Sequence, residues 1–187
     1  MHLTYSDFEI DIYDDMNYNP ASADNVVKYD HYYASNNLQR FILTQHGIKT
    51  TDVDGELIKQ VCIAASGGKT GIHEHCCVIL DNALTICCAD SVFSLTLPDL
   101  TLRWQTKVDP ATCFEIFSYK NNFLIHGELE ISRIDSEGRI VWQFSGNDIF
   151  TTPTGRDTFT IKDNVIYATN WDEQTFEIDA DTGYVLN

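Results

Sequence analysis

Four side chains in two short segments have the chemistry of metal ligands. The segment His73-Glu74-His75 would, as part of a β-strand, present the imidazoles of His73 and His75 on one face. His126 and Glu128 lie between two strand-like runs further along and would supply the remaining ligands. Together these four residues would hold a divalent metal for a hydrolase or lyase. The alternative is that the histidines are partly exposed strand residues that only make hydrogen bonds.

Six cysteines include two adjacent pairs, at 76–77 and 87–88. A two-residue turn at 81–82 would place Cys76 directly opposite Cys87, in a hydrogen-bonded pair of an antiparallel ladder. Cross-strand disulfides favour the non-bonded positions, where the strands lie closer together. The sequence therefore predicts that the cysteines are small buried packing residues with free thiols.

Other catalytic patterns are missing from the sequence. It has no dinucleotide-binding glycine pattern, complete phosphate loop or nucleophile elbow. It also shows no nucleophile, base and orienting group at an identifiable spacing. This favours a protein without enzymatic activity, and no cofactor is expected beyond the divalent metal of the alternative hypothesis.

The strands that must position these residues are indicated by four polar pairs rich in Asn. Each pair lies between two strand-like runs. Asn tolerates positive φ better than any residue except Gly, so each pair predicts a tight two-residue hairpin loop. The second members of successive pairs lie 45, 40 and 42 residues apart, which predicts a repeat protein. The pairs are Asn36-Asn37, Asp81-Asn82, Asn121-Asn122 and Asp163-Asn164.

A second turn follows each hairpin at a nearly constant distance. It is centred on Gly55, Leu100, Gly138 and Gly183, which lie 18, 18, 16 and 19 residues after the second member of the preceding pair. Each unit therefore reads as four strands joined by short turns. In the third unit the predicted strands are 114–120, 123–126, 129–135 and 139–144.

Residues 164–168, followed by 176–186, resemble the blade repeat of the PQQ-like β-propellers, a repeat family with WD40-like architecture. In that family an apolar strand leads through an Asp-x-x-x-Gly turn to a strand ending in Trp, here Trp104 in the second unit and Trp142 in the third. The first unit has Lys59 at this position. The resemblance implies a propeller architecture. It leaves the function open, because propellers include enzymes, scaffolds and binding proteins.

The predicted fold class is all-β, a β-propeller-like array of four four-stranded antiparallel blades plus an N-terminal strand. We expect a single domain over 1–187, and residues 3–13 alternate well enough to form an extra strand that completes the last sheet and closes the ring. An open arc of blades that dimerises is the competing arrangement. The expected segments are an N-terminal strand and loop over 1–28 and repeats over 29–64, 72–109, 113–146 and 157–187.

The charge of the chain bears on its partners. Twelve basic residues stand against twenty-eight acidic ones, for a formal net charge of −16. Such a surface repels phosphates, which argues against nucleic acid and anionic membranes, and it steers basic proteins toward the chain. The alternative is that the charge only keeps a small protein soluble. Without a signal-like N-terminus or an apolar run near the ~20 residues of a membrane span, we expect a cytoplasmic protein.

These observations favour a non-enzymatic module that binds a protein partner. A sharper form is an acidic inhibitor of a basic enzyme, as an immunity protein is for its toxin. The alternatives are the metal-dependent hydrolase or lyase and a structural subunit that assembles with copies of itself, for example as a homodimer. The residues expected to contact a partner are aromatic or acidic: Trp171, Asp172, Glu173, Tyr119 and Phe150.

Overall fold

The computed structural model describes residues 1–34, 44–155 and 158–186. This described part contains sixteen strands and no helix. It therefore also contains no helix long and apolar enough to cross a membrane. The strands form four blade-like sheets, so the predicted all-β, propeller-like array is confirmed.

Each sheet is built largely from neighbouring segments of the chain. The first contains β1 (His2–Tyr5), β2 (Phe8–Asp14), β3 (His31–Ala34), β4 (Thr44–Asp52) and β5 (Leu57–Ala65). The second contains β6 (Cys77–Leu80), β7 (Ala83–Cys88), β8 (Ser91–Thr96) and β9 (Leu102–Lys107). The third contains β10 (Cys113–Tyr119), β11 (Asn122–Gly127), β12 (Glu130–Ile134) and β13 (Ile140–Ser145). The fourth contains β14 (Phe159–Lys162), β15 (Val165–Thr169) and β16 (Thr175–Asp179), with a single bridge from Ile178 to Val185.

The N-terminal segment is β-structure, as predicted, but its predicted place in the last sheet is wrong. It forms the hairpin β1–β2, and β2 pairs with β4 over its whole length, from Phe8 opposite Asp52 to Asp14 opposite His46. The alternation of the segment explains this position, because Phe8, Ile10 and Ile12 are buried on the face toward the second sheet. The hairpin predicted at 36–37 lies outside the described residues.

The predicted hairpins are confirmed at two of the other three pairs. Both turn residues have positive φ at 81–82 (49° and 58°) and at 163–164 (49° and 67°). In the third sheet the prediction is one residue too late, because Tyr119 pairs with Asn122 and the turn is 120–121, with φ of 54° at Lys120. Two salt-bridging contacts, from Lys120 Nζ to the two oxygens of Asp181 at 2.6 and 2.7 Å, favour this register.

The second set of turns is confirmed in all four sheets. The backbone has positive φ at each predicted centre: 82° at Gly55, 53° at Leu100, 79° at Gly138 and 76° at Gly183. Gly adopts this conformation without steric cost. In Leu100 the same conformation is strained, and the burial of its side chain must offset that strain. The period read from the sequence therefore corresponds to a repeated piece of backbone geometry.

Three apolar cores hold the four sheets together. Each lies between consecutive sheets, and the buried side chains Leu84, Ile116 and Ile166 belong to the first, second and third core respectively. Among the described residues, no such core joins the fourth sheet to the first. In the described part of the chain the blades are thus joined as an open series.

The outer face of the first sheet is covered by the chain itself. The side-chain amide of Gln45 donates to the backbone carbonyls of Asp15 and Tyr18 at 3.2 and 3.1 Å. Gly47 lies so close to Tyr13 and Tyr29 that a Cβ atom there would be 2.3 Å from the Tyr29 hydroxyl. Segment 15–29 therefore caps the first sheet, as terminal repeats of repeat proteins do.

The cysteines follow the sequence-based expectation. All six are buried and none forms a disulfide. The Cys87 amide donates to the carbonyl of Cys76 at 2.9 Å, so these residues are opposite each other in the predicted hydrogen-bonded register. Burial raises the pKa of the Cys87, Cys88 and Cys113 thiols well above the usual value, which suits apolar packing.

Candidate functional site

The turns of the blades lie at two opposite edges. Because the strands are antiparallel, the first and third turns of each four-stranded unit share one edge, and the second turn shares the other with the connections between sheets. We call the latter the upper edge. Among the described residues, it is formed by the turns 89–90, 128–129 and 170–174 and by the connecting segments 66–76, 108–112 and 146–155.

The Trp171 turn stands out at the upper edge. The side chain of Trp171 is 46% exposed, and its neighbours Asp172 and Glu173 are also exposed. Glu173 has a positive φ of 60°, which a non-glycine residue adopts only when its surroundings impose it. This turn is consequently held in a single shape.

Asn170 provides that constraint. It is fully buried, its amide nitrogen donates to Asn147 Oδ1 at 2.8 Å, and its amide oxygen accepts from the Gln174 N–H at 2.9 Å. Its backbone closes the turn through a second bond to Gln174 and through the carbonyl that accepts from Glu173. A rigid turn loses little conformational entropy on binding, so Trp171 is already positioned as an anchor.

A second rigid turn lies beside the first. Leu129 is 36% exposed at its tip, and a carboxylate oxygen of buried Asp109 accepts from the N–H groups of Leu129 and Glu130, each at 2.8 Å. The other oxygen of Asp109 accepts from two N–H groups of the preceding connection. Burial raises the pKa of the Asp109 carboxyl, and these four bonds oppose that rise.

The connection between the third and fourth sheets joins the two turns. The Phe150 N–H donates to the carbonyl of Glu128 at 2.7 Å, and the Trp171 N–H donates to the carbonyl of Ile149 at 2.9 Å. The two turns are therefore bonded to adjacent residues of one segment and form one surface. We call it the Trp171 surface; it comprises Glu128, Leu129, Trp171, Asp172 and Glu173.

Two of the predicted contact residues do not belong to this surface. Phe150 is completely buried in the third core, so its side chain cannot meet a partner. Its backbone belongs to the segment that links the two turns, but its side chain is packed in the core, and no pattern in the sequence indicated this. Tyr119 is half-buried at the opposite edge, where its hydroxyl bonds to Asn164 and Asp181.

The geometry gives no support to a metal centre at the four predicted ligands. Residues 73–76 form a turn, closed by a bond from the Cys76 N–H to the His73 carbonyl, so the strand expected there is wrong. The His75 ring packs on Phe117 with centroids 4.9 Å apart. Within residues 1–34, 44–155 and 158–186, no three His, Cys, Asp or Glu side chains are placed to hold a metal ion.

His126 is the most constrained of these candidates. Its Nδ1 lies 2.8 Å from a carboxylate oxygen of Glu115, and its Nε2 lies 2.7 Å from the carbonyl oxygen of Phe150, to which it must donate. Both ring nitrogens are thus engaged, which leaves none for a metal or a substrate proton. The ring also stacks on Phe159, with centroids 4.9 Å apart.

His73 and His126 do meet at one cavity. This opening of about 210 Å³ lies at the upper edge and is lined by residues from two connections and from strands β10 and β11. The lining residues are His73, Phe114, Glu115, His126, Thr151, Gly155 and Thr158. The two histidines were predicted as site residues from the sequence, but Glu115 was not. Glu115 reaches this cavity because β10 pairs with β11, which places it opposite His126.

Comparisons with known proteins identify the class of fold. No known protein family and no curated protein matches the sequence. The computationally designed Ika8 protein is similar over 83% of this chain and 60% of its own, with a TM-score of 0.51 and 11% identity. The WD40 domain of Neurospora crassa Pan2 is similar over 59% of this chain and 36% of its own, with a TM-score of 0.48 and 13% identity. The quinohemoprotein alcohol dehydrogenase of Comamonas testosteroni is similar over 63% and 20%, with a TM-score of 0.48 and 14% identity.

This chain spans less than two thirds of the length of each of these three proteins. At such low identity the likeness concerns the fold alone. The chain is an all-β protein of the β-propeller-like class. The particular branch of that class is not assigned, since no family matches.

Proposed function

We propose that this chain is a non-enzymatic protein-interaction module that binds a basic partner protein through the Trp171 surface. The observation that carries the proposal is the exposed Trp171, which lies on a turn fixed by buried Asn170 and is followed by two carboxylate residues. Tryptophan is the residue type most enriched at binding hot spots, and an anchor that is already ordered binds at low entropic cost.

The charge of the surface selects the kind of partner. Three of its five residues, Glu128, Asp172 and Glu173, carry carboxylates, and the whole chain carries a net charge of −16. The two apolar residues are next to these carboxylates in the sequence, because Glu128 precedes Leu129 and Asp172 follows Trp171. A partner with Lys or Arg around an apolar patch would complement both features and would be steered to the surface by long-range attraction.

Inhibition is the sharper form of this proposal. An acidic module that covers the active site of a basic enzyme blocks it without any chemistry of its own. This form is supported by the small size and acidity of the chain and by the rigid surface. The enzymatic alternative has less support, because both nitrogens of His126 are held by protein groups.

Capture followed by direct binding tests the proposal. Tagged full-length chain is incubated with extract of its source cells, and recovered proteins are identified by mass spectrometry and then purified. We expect a basic protein whose affinity for the chain falls steeply between about 0.05 and 0.3 M salt, as expected for charge-steered association. Recovery of only acidic or neutral proteins would contradict the proposal.

Matched variants locate the contact. Trp171→Ala should weaken binding of the purified partner by at least about thirtyfold, as a hot-spot loss of about 2 kcal/mol or more implies. Tyr184→Ala is the control, because Tyr184 is 75% exposed but lies on the opposite edge, after the Gly183 turn. Equal effects of the two substitutions would place the interface elsewhere. The mass in solution, measured by light scattering, tests the homodimer considered above.

A further inference from the structure

The cavity at the upper edge lies next to the Trp171 surface. Segment 146–155 runs from one to the other: Ile149 and Phe150 bond to the two turns, whereas Thr151 and Gly155 line the cavity. The carbonyl of Phe150 also accepts from His126 at the cavity wall. A partner seated on the Trp171 surface would therefore reach the cavity with a long side chain.

The cavity wall is rich in hydrogen-bond acceptors. Glu115 has one carboxylate oxygen bonded to His126, and its other oxygen has no hydrogen-bond partner among the described residues. Thr151 and Thr158 add hydroxyl groups.

Both ring nitrogens of His73 have backbone partners at this wall. Its Nε2 lies 3.1 Å from the carbonyl oxygen of Phe114 and must donate, while its Nδ1 lies 3.3 Å from the His75 N–H and must accept. Phe114 lines the same cavity, and its ring makes an edge contact with the ring of His126, with centroids 5.4 Å apart.

We propose that this cavity binds the ammonium or guanidinium head of a Lys or Arg side chain presented by the basic partner. Glu115 would receive the charged head through its open oxygen, the threonine hydroxyls would accept further hydrogen bonds, and Phe114 would lie against the cation. The inference rests on the proposed function for the source of the side chain. The same chemistry would also recognise a free guanidine or amine.

Calorimetric titrations of the full chain at about 0.15 M salt separate these sources. The probes are arginine amide, as a free guanidine, and an oligo-arginine peptide, as a presented side chain. Glu115→Gln removes the charge while keeping an acceptor for His126. Glu56→Gln is the matched control, because it removes one charge from the exposed Gly55 turn at the opposite edge.

We expect Glu115→Gln to weaken both probes by about tenfold or more and Glu56→Gln to change them little, since a charged hydrogen bond contributes more than a distant charge. If Glu115→Gln weakens the binding of arginine amide but not of the peptide, the cavity binds a free guanidine. That result would overturn the proposal that a partner side chain occupies it. Equal effects of the two variants on both probes would overturn the proposal. Thr158→Val, which should weaken both probes less strongly, serves if Glu115→Gln does not fold.

Trp171→Ala distinguishes failure of the cavity from failure of the proposed function. It should weaken the oligo-arginine peptide and leave arginine amide unaffected, because only the peptide reaches both sites. If Trp171→Ala changes neither probe while Glu115→Gln weakens both, the cavity stands and the Trp171 surface is not the neighbouring contact.

Discussion

The indole of Trp104, in the second sheet, covers the backbone of Gly138, in the third. A Cβ atom on Gly138 would lie only 2.5 Å from Cδ2 of the indole, and the indole N–H donates to the carbonyl of Ser136 at 2.9 Å. Trp142 covers Gly183 in the same way, with a distance of 2.6 Å. Each pair joins the last strand of one blade to the last turn of the next, which explains why Trp and Gly recur together in the sequence.

Gly138→Ala should therefore lower the free energy of unfolding by about 2 to 4 kcal/mol. The new methyl group meets the indole, and the residue must keep a φ of 79°. Gly55→Ala is the control, because Gly55 has a φ of 82° and no atom within 4 Å of a new Cβ. It should cost only about 1 kcal/mol. Urea unfolding of the two variants measures the difference.

A double-mutant cycle shows whether the indole causes that difference. Trp104→Ala alone should cost about 3 kcal/mol, the lower end for a buried aromatic residue, because the Trp104 ring is only half-buried. In the Trp104→Ala variant, the loss of unfolding free energy caused by Gly138→Ala should fall to that caused by Gly55→Ala. An unchanged cost would show that backbone strain, not the Trp104 contact, makes Gly necessary at 138.

Leu100 breaks the pattern and allows a second prediction. It occupies the turn position at which the other sheets have Gly, with a φ of 53°, and its side chain is completely buried in the first core. The preceding sheet has Lys59 in place of Trp. Leu100 thus contributes the apolar contact that an indole contributes in the third and fourth sheets.

Leu100→Gly should destabilise the chain although Gly is the better residue for this backbone. Loss of a buried leucine costs about 3 kcal/mol or more, whereas relief of the left-handed conformation returns about 1 kcal/mol. The expected net loss in thermal or urea unfolding is about 2 kcal/mol. A stabilised Leu100→Gly variant would mean that the side chain contributes little to the first core.

The repeat period was accessible from the sequence because it depends on local backbone chemistry. Asn and Gly at fixed spacing correctly predicted positive φ at Asn82, Asn164 and Gly138. This prediction required no knowledge of the tertiary fold. The error at Asn122 had no such cue, because Asn122 is followed directly by apolar Phe123, just as Asn82 is followed by Ala83.

Tertiary pairing was much less accessible. The N-terminal hairpin joins the first sheet because Ile10 and Ile12 fit the first core, and alternation alone does not say which sheet a strand will enter. Similarly, His73 and His75 alternate like strand residues, but a bond within 73–76 makes them a turn. The buried organisers of the upper edge, Asn170 and Asp109, gave no sequence signal beyond their polarity.

Asn170 gives a prediction that separates stability from recognition. Asn170→Ala leaves the N–H of Gln174 and the side-chain oxygen of Asn147 without their partner. The free energy of unfolding should therefore fall by about 1 to 3 kcal/mol. Partner affinity should also fall, although Asn170 is buried, because the Trp171 turn loses its fixed shape.

Trp171→Ala is the counterpart: it should reduce affinity while changing the free energy of unfolding by less than about 0.5 kcal/mol, as expected for an exposed side chain. Urea unfolding and calorimetric binding on the same preparations check both variants. Full affinity in a destabilised Asn170→Ala variant would show that the ordered turn is not needed for recognition.

Asp181 links the third and fourth sheets at the edge opposite the Trp171 surface and makes their stability dependent on pH. Its carboxylate accepts from Lys120 Nζ at 2.6 and 2.7 Å and from Arg133 Nη1 at 3.3 Å. The hydrogen bond from Lys120 is the main cause that lowers the pKa of Asp181 to about 2. Because this value is below that of an unfolded Asp, near 3.9, the stabilisation is complete at neutral pH and is lost as the pH falls toward 2.

The comparison of wild type with Asp181→Asn in urea should therefore show a constant difference in unfolding free energy above about pH 5, reduced to about half near pH 3. Asp54→Asn, on the exposed turn of the first sheet, should show no comparable change. The hairpin register supplies the reason: with the turn at Lys120 and Asn121, the ammonium group reaches Asp181. A difference that stays constant down to pH 3 would mean that Asp181 acts through hydrogen bonds that the neutral carboxyl also makes, and that the charge of Lys120 has no part in joining the two sheets.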